Sequence, residues 1–145
     1  MGNSIPVEIQ MKTTIRDGNQ QDTSVMKSTG HLIQKSLSTF LRFEEPNEEN
    51  EKQLTMQTVK IQNGEVTVIR KGAVTMNQRF IPGIETEGMY HSKFGSLLMI
   101  TKTNKADFQW DDVNSEGQLH LTYTLTLQGA KAGDYEMRVS IKEVS

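Results

Sequence analysis

Apolar and polar residues alternate with a period of two at both ends of the chain. In the first segment, every second residue is apolar or threonine: Ile5, Val7, Ile9, Met11, Thr13 and Ile15. Two segments near the other end alternate in the same way, with the inward sets Leu119, Leu121, Tyr123, Leu125, Leu127 and Tyr135, Met137, Val139, Ile141. This period places the apolar side chains on one face of an extended strand. The pattern predicts an all-β chain.

Turn residues divide the chain into about ten strands. Asp17-Gly18-Asn19 closes the first strand, and Asn63-Gly64 is the dipeptide typical of a type I′ hairpin turn. The second strand is expected to bend at residues 34–36 into the third. The acidic run over residues 44–52 could be a cation site, but its charge density and its proline favour a solvated hairpin tip.

The apolar faces also predict the connections of two hairpins. A three-residue loop, Lys71-Gly72-Ala73, sets Val68 opposite Met76 and keeps both apolar faces on one side. A longer loop over residues 128–134 is expected between the last two strands, with Tyr135 as the first paired residue beyond it.

Parity within single strands gives two further expectations. In the fourth strand the apolar residues change parity, which predicts a β-bulge at residues 57 and 58. Leu98, Phe108 and Trp110 share one parity, so we expect all three to face the core or a barrel mouth.

Strand number and length decide the overall shape. The first strand is roughly twice the usual 5–6 residues, and about ten long antiparallel strands do not remain a flat open sheet. Closure removes exposed edges, and short sequential connections favour a meander. We therefore expect one domain over residues 1–145, an antiparallel up-and-down barrel of about 8–10 strands, with a Greek-key sandwich as the alternative. A barrel of this size has interior space unless it is flattened.

Composition narrows the function classes. The 145 residues fit one ordinary core, and the absence of cysteine excludes disulfides and thiol chemistry. A net charge of −2 gives no reason to expect nucleic acid or an anionic membrane as partner. The sequence shows neither a membrane-spanning apolar run nor a signal-peptide pattern, so the expected location is the cytoplasm.

One block of sequence carries a family resemblance. Gly72-Ala73-Val74-Thr75-Met76-Asn77-Gln78-Arg79-Phe80, with Asp17-Gly18-Asn19-Gln20 and Thr29-Gly30 upstream, resembles the YwiB-like family of small uncharacterised proteins from Gram-positive bacteria. The resemblance covers most of the chain and implies a closed antiparallel barrel like those of the calycins, which include lipocalins and fatty-acid-binding proteins. It implies no activity and transfers no catalytic or binding residue. Ligand binding inferred from the fold alone is analogy.

Five residues on the predicted inward face are candidate ligand-binding groups: Arg70, Met76, Gln78, Phe80 and Tyr123. A buried guanidinium or amide needs a hydrogen-bond partner, and a ligand carboxylate would match the fork of Arg70. The alternative is that Arg70 pairs with a protein carboxylate or water, and that Gln78 bonds the backbone of a neighbouring strand. We favour this alternative because buried polar groups are usually satisfied within the protein. Met76 adapts to apolar ligands but fills cores equally well.

Asn77 and Arg79 lie on the opposite face of the same strand. They form a polar stripe that could contact a partner, although such stripes are more often ordinary solvent-facing surface. The three histidines, His31, His91 and His120, lack metal-ligand spacing, so we expect no metal and no cofactor.

The sequence shows no acid–base pair or activated nucleophile, so we expect no enzymatic activity. The favoured function is a non-catalytic cytoplasmic barrel that binds a small apolar or amphipathic molecule in its interior. The alternative is a protein-interaction module that uses the outer barrel surface.

Overall fold

Ten antiparallel strands close into a barrel in a computed structural model that describes residues 3–46 and 54–144. The strands within these residues are β1 (Asn3–Asp17), β2 (Gln20–Gln34), β3 (Thr39–Glu44), β4 (Met56–Gln62), β5 (Glu65–Lys71), β6 (Thr75–Phe80), β7 (Glu85–Ser92), β8 (Gly95–Asp111), β9 (Glu116–Leu127) and β10 (Ala130–Glu143). Each strand pairs with its neighbours in sequence, and β1 pairs with β10 to complete the ring. The all-β, up-and-down antiparallel barrel is therefore confirmed.

The core lies inside the ring and consists of the apolar side chains that alternate along each strand. In β9, Leu119, Leu121, Tyr123 and Leu125 are buried, whereas the threonines between them are half-buried. Inward residues of the other strands join them in one continuous cluster. Period-two patterning thus correctly predicts which face of these strands is internal.

The short turns also agree with the sequence. Gly18 and Asn19 join β1 to β2, and Asn63 and Gly64 have φ of 53° and 75°, as a type I′ turn requires. β2 ends at Gln34 before the expected bend. Most of the acidic run, residues 47–52, lies outside the described residues.

The predicted register of the β5–β6 hairpin is wrong by two residues. Val68 lies opposite Gln78 and Arg70 opposite Met76, so the connection is longer than the three-residue loop from Lys71. A shift of two keeps every side chain on its original face, so the apolar pattern cannot distinguish the two pairings.

The register of the last hairpin, between β9 and β10, also differs from the prediction. Tyr135 lies opposite Tyr123, and the connection is the tight turn Gln128-Gly129 in place of a loop over residues 128–134. Both turn residues have positive φ, at 50° and 81°. A β-bulge between Lys131 and Gly133 follows the turn.

Strand β4 contains no bulge, contrary to the prediction. Its register with β3 is continuous, with Gln57 opposite Phe43 and Val59 opposite Leu41. The inward residue is the polar Gln57, whereas the apolar Met56 is exposed. An inward amide therefore produced the apparent change of parity.

A bulge instead occurs in β8, between Thr103 and Lys105. It reverses the parity of the strand, so Leu98 faces outward while Phe108 and Trp110 pack against the core. The expectation that all three share a face is therefore wrong for Leu98.

Candidate functional site

Arg70 on the inner face of β5 is paired with Glu45, which follows the end of β3. Its Nε donates to Glu45 Oε2 at 2.7 Å, and its terminal nitrogen donates to Oε1 at 2.8 Å. Gln57 Nε2 donates to the same Oε2 at 2.8 Å, from the strand between them. The guanidinium thus has a bidentate carboxylate partner within the protein, which is the alternative that the sequence favoured.

This pairing sets the titration of Arg70. Burial alone lowers the pKa of the guanidinium, but the hydrogen bond and charge of Glu45, helped by Tyr90, outweigh it and raise the pKa above its ordinary value. Arg70 is therefore a cation that is hydrogen-bonded to a carboxylate of the protein itself.

Gln78 is also satisfied from within the barrel. Its Nε2 donates to Thr101 Oγ1 on β8 at 3.0 Å, and both side chains are buried. The alternative expectation was a hydrogen bond from Gln78 to the backbone of a neighbouring strand. The observed partner is instead a side chain two strands away.

Three aromatic rings fill the inner space beside this pair. Phe80 meets Tyr123 edge-on with ring centroids 4.8 Å apart, and Tyr123 stacks on Tyr135 at 5.0 Å. Burial raises the pKa of Tyr123, and Tyr135 adds to the effect. Because β6 and β9 are not adjacent, the contact of Phe80 with Tyr123 joins inward side chains of two separated strands.

Met76 completes the five predicted ligand-binding residues. It is buried, lies opposite both Arg70 and Tyr90, and belongs to the core cluster. The structure therefore places Arg70, Met76, Gln78, Phe80 and Tyr123 on the inner face, where each contacts other protein groups. Arg70 and Met76 also line a concave surface over β5, β6 and β7.

One hydroxyl on the inner face lacks a hydrogen-bond partner among the described residues. It is Thr103 Oγ1, which is buried. Thr103 lies opposite Tyr123 at the β8 bulge. An unpaired buried hydroxyl costs about 1–3 kcal/mol.

The surface stripe borders a groove on the outside of the barrel. Asn77 and Arg79 project from β6 into a concave surface of about 470 Å³ that also reaches outward side chains of β5 and β7. Ile69 and Met89 supply apolar contacts there, and Lys71 and the Glu45-paired Arg70 supply further cations.

A second groove, of about 1200 Å³, crosses six strands from β3 to β8 through β2, β1, β10 and β9, and is also lined by Glu45 and Pro46, which follow β3. Four uncharged polar residues lie in register along it: Gln10, Ser140, Gln118 and Gln109. A parallel row alternates in charge, with Lys142 between Glu8 and Glu116. Mixed charge gives this groove no strong preference for one ligand charge.

Sequence reasoning missed the partner of Arg70. Glu45 was assigned to a solvated tip, yet its side chain is only 16% exposed. A signal was present, because Leu41, Phe43 and Glu45 share the inward parity of β3. No sequence pattern identifies Thr101 as the partner of Gln78, since that contact depends on how two distant strands approach.

The described residues also bear on metal binding and on membrane-spanning helices. Across residues 3–46 and 54–144, no group of three or more His, Asp or Glu side chains is arranged to hold a metal ion. Over the same residues, no helix is long and apolar enough to cross a membrane.

Comparison with known proteins shows one family throughout. Residues 9–139 match the family model described as domain of unknown function DUF1934. The uncharacterised β-barrel protein YwiB of Bacillus subtilis strain 168 is 30% identical over 125 residues, which cover 86% of this chain and 84% of the relative. The crystal structure of that organism's YwiB protein superposes with a TM-score of 0.85 and 27% identity, over 98% of this chain and 94% of the other.

Proposed function

The chain belongs to the DUF1934 family of YwiB-like β-barrels, and we propose that it is a non-catalytic cytoplasmic binding module that recognises a partner through its outer surface. The family carries no established activity, so the proposal rests on the geometry of this chain. The observation that carries it is the contrast between the two faces of the barrel wall.

On the inner face, the polar groups best suited to hold a ligand already hold one another. The Glu45 carboxylate accepts hydrogen bonds from two nitrogens of Arg70, and the Thr101 hydroxyl accepts one from the side-chain amide of Gln78. A ligand that used these groups would first have to break buried hydrogen bonds, each worth about 0.5–3 kcal/mol.

On the outer face, exposed polar side chains line two grooves, and the inner-face residues Glu45 and Arg70 each reach one of them. Contacts with the outward side chains of these grooves leave the hydrogen bonds of Arg70 with Glu45 and of Gln78 with Thr101 in place. The groove volumes, about 470 and 1200 Å³, suit segments of a macromolecule or small molecules.

A second candidate is a calycin-like interior site for a small apolar or amphipathic molecule. The buried hydroxyl of Thr103, which lacks a partner among the described residues, favours it. A hydrogen-bonding group of such a molecule would relieve that hydroxyl. A stoichiometric small molecule released only on unfolding, in mass spectra of gently purified protein, would support this candidate over the first.

Site-specific photo-crosslinking in living bacteria tests the outer-surface proposal. A photoreactive phenylalanine analogue replaces Asn77 in one groove, Gln118 in the other, or the exposed Leu37 in the β2–β3 turn, which lines neither groove. The proposal predicts discrete protein adducts from at least one groove position and none from position 37. Absence of adducts from both grooves, or identical adducts from all three positions, contradicts it.

A further inference from the structure

We propose that the groove over β5, β6 and β7 binds a short extended segment of a partner protein, in which an apolar residue is flanked by acidic residues two positions away on each side. This inference rests on the proposed function and assigns it to one groove and one ligand chemistry.

The middle of the groove is a row in which the polar Asn77 lies between the apolar Ile69 and Met89. Ile69 lies opposite Asn77, and Met89 opposite Leu98, with these outward side chains in line across four strands. Met89 is 40% exposed, and Leu98, which lies next to it outside the groove, is 36% exposed. Such a row favours contact with an apolar side chain of a partner.

Cations stand on both sides of this row. Lys71 lies two residues beyond Ile69 on β5, and Arg79 lies two residues beyond Asn77 on β6. Because β5 and β6 are antiparallel, Lys71 and Arg79 lie on opposite sides of the row along the strand direction. Glu87 is the one carboxylate that lines the groove among the described residues. The surroundings of the row are therefore complementary to a partner with acidic flanks.

Arg79 remains available for such a partner. Its terminal nitrogen lies 3.9 Å from Glu65, and the two side chains are 55% and 46% exposed. An exposed pair at this distance contributes little, about 0–1 kcal/mol, so a partner carboxylate can replace it.

The spacing of these rows sets the spacing of the ligand. Residues two apart in a strand lie about 6.6–6.8 Å apart and point to the same side. An extended peptide aligned with the strands therefore presents positions i, i+2 and i+4 to the groove. An apolar residue at i+2 reaches the row of Ile69 and Met89, and carboxylates at i and i+4 reach Lys71 and Arg79.

Three fluorescein-labelled peptides with blocked ends test the proposal by fluorescence anisotropy and amide NMR. They are Glu-Ser-Leu-Ser-Glu, the lysine version Lys-Ser-Leu-Ser-Lys, and Glu-Ser-Ser-Ser-Glu without the apolar residue. The first is expected to bind at least tenfold more tightly than either of the others, with amide shifts confined to the groove strands.

Variants locate the binding. Arg79→Glu and Met89→Ser are each expected to weaken binding of Glu-Ser-Leu-Ser-Glu at least tenfold. Lys12→Glu, which makes the same charge change on the exposed face of β1, is expected to leave it unchanged. Circular dichroism confirms that each variant is folded.

Several results overturn the inference. These are no binding of the acidic leucine peptide at millimolar concentration, equal binding of the lysine peptide, or binding that is insensitive to Arg79→Glu. A dimer that dissociates on Arg79→Glu would assign the groove to a second copy of this chain instead. Photo-crosslinks from position 118 without any from position 77 would overturn this groove but keep the outer-surface function.

Discussion

Arg70 and Glu45 meet across β4, the strand that lies between the two elements from which they project. The two parallel hydrogen bonds of this pair, at 2.7 and 2.8 Å, engage both arms of the guanidinium fork. The side chains are only 24% and 16% exposed. The pair therefore neutralises the one arginine of the inward-facing candidate set, near the end of the barrel where the β5–β6 turn lies.

Removing the carboxylate charge of this pair is expected to destabilise the fold. Glu45→Gln leaves the Arg70 cation without a counter-charge in a largely desolvated place, which costs about 1.5–3 kcal/mol. Urea denaturation of the variant and the parent measures the difference. The matched control is Glu65→Gln, which touches the exposed Arg79 and is expected to change stability by less than about 1 kcal/mol.

Replacing both partners is expected to be milder than replacing one. Glu45→Gln combined with Arg70→Met removes the charge and its partner together, so no uncompensated cation remains. We expect the double variant to recover part of the stability lost in Glu45→Gln. Strictly additive losses would show that the two side chains do not act as a pair.

Much of the fold could be predicted from the sequence, because alternation reports which way a side chain points. It predicted the inner positions of Val68, Met76, Gln78 and Phe80, all of which are buried. It did not determine register, because a slip of two residues, as at Val68 and Gln78, leaves every side chain on its face.

The candidate site was less predictable because its contacts join distant parts of the chain. Glu45 lies 25 residues before Arg70, and Thr101 lies 23 residues after Gln78. These pairs form only once the ring has closed, and no local pattern encodes the distance between its walls. The bulge after Thr103 could not be predicted either, because it changes the pairing of β8 without interrupting the strand.

Two leucines on neighbouring strands, one facing inward and one facing outward, test the assignment of the inner and outer faces. Leu125 is buried on β9, so Leu125→Ala is expected to cost about 2–5 kcal/mol. Leu98 on β8 is 36% exposed and outward, so Leu98→Ala is expected to cost much less, within about 1 kcal/mol. Denaturant titration of both variants checks the assignment, and equal losses would contradict it.

Gly88 is required where β6 and β7 approach closely. A methyl group built at this position would lie 2.6 Å from the backbone oxygen of Asn77, and the nearby ladder pairs β7 with β6 only at Thr75 and Met76. Gly88→Ala is therefore expected to force the strands apart and to destabilise the protein by about 1–3 kcal/mol. Thermal unfolding measures this loss, and a variant as stable as the parent would show that the approach is not tight.

Acidification is expected to weaken one cross-strand contact on the outer surface. The hydrogen bond from His120 to Glu136, 2.8 Å long, is the main cause that lowers the pKa of Glu136 below its ordinary value of 4.5, and Arg138 adds to it. A lowered carboxyl pKa contributes stability above the ordinary value, and this contribution is lost as the pH falls through the folded-state value.

The corresponding variant reveals this dependence. Glu136→Gln is expected to be less stable than the parent near pH 7, and the difference is expected to shrink as the pH falls from the ordinary carboxyl value of 4.5 through the lowered pKa of Glu136. Urea titrations at several pH values measure it. A stability difference that stays constant across the range would show that ionisation of Glu136 does not contribute.

The account places recognition on the outside of the barrel, and the methionine methyl groups report on both sides of its wall. Met89 faces outward in the groove that Ile69 also lines, whereas Met76 and Met99 are buried in the core. The most direct measurement is the methyl NMR spectrum of the protein during titration with Glu-Ser-Leu-Ser-Glu. We predict that the Met89 signal shifts progressively while those of Met76 and Met99 stay in place; shifts of Met76 and Met99 with an unmoved Met89 would contradict the account.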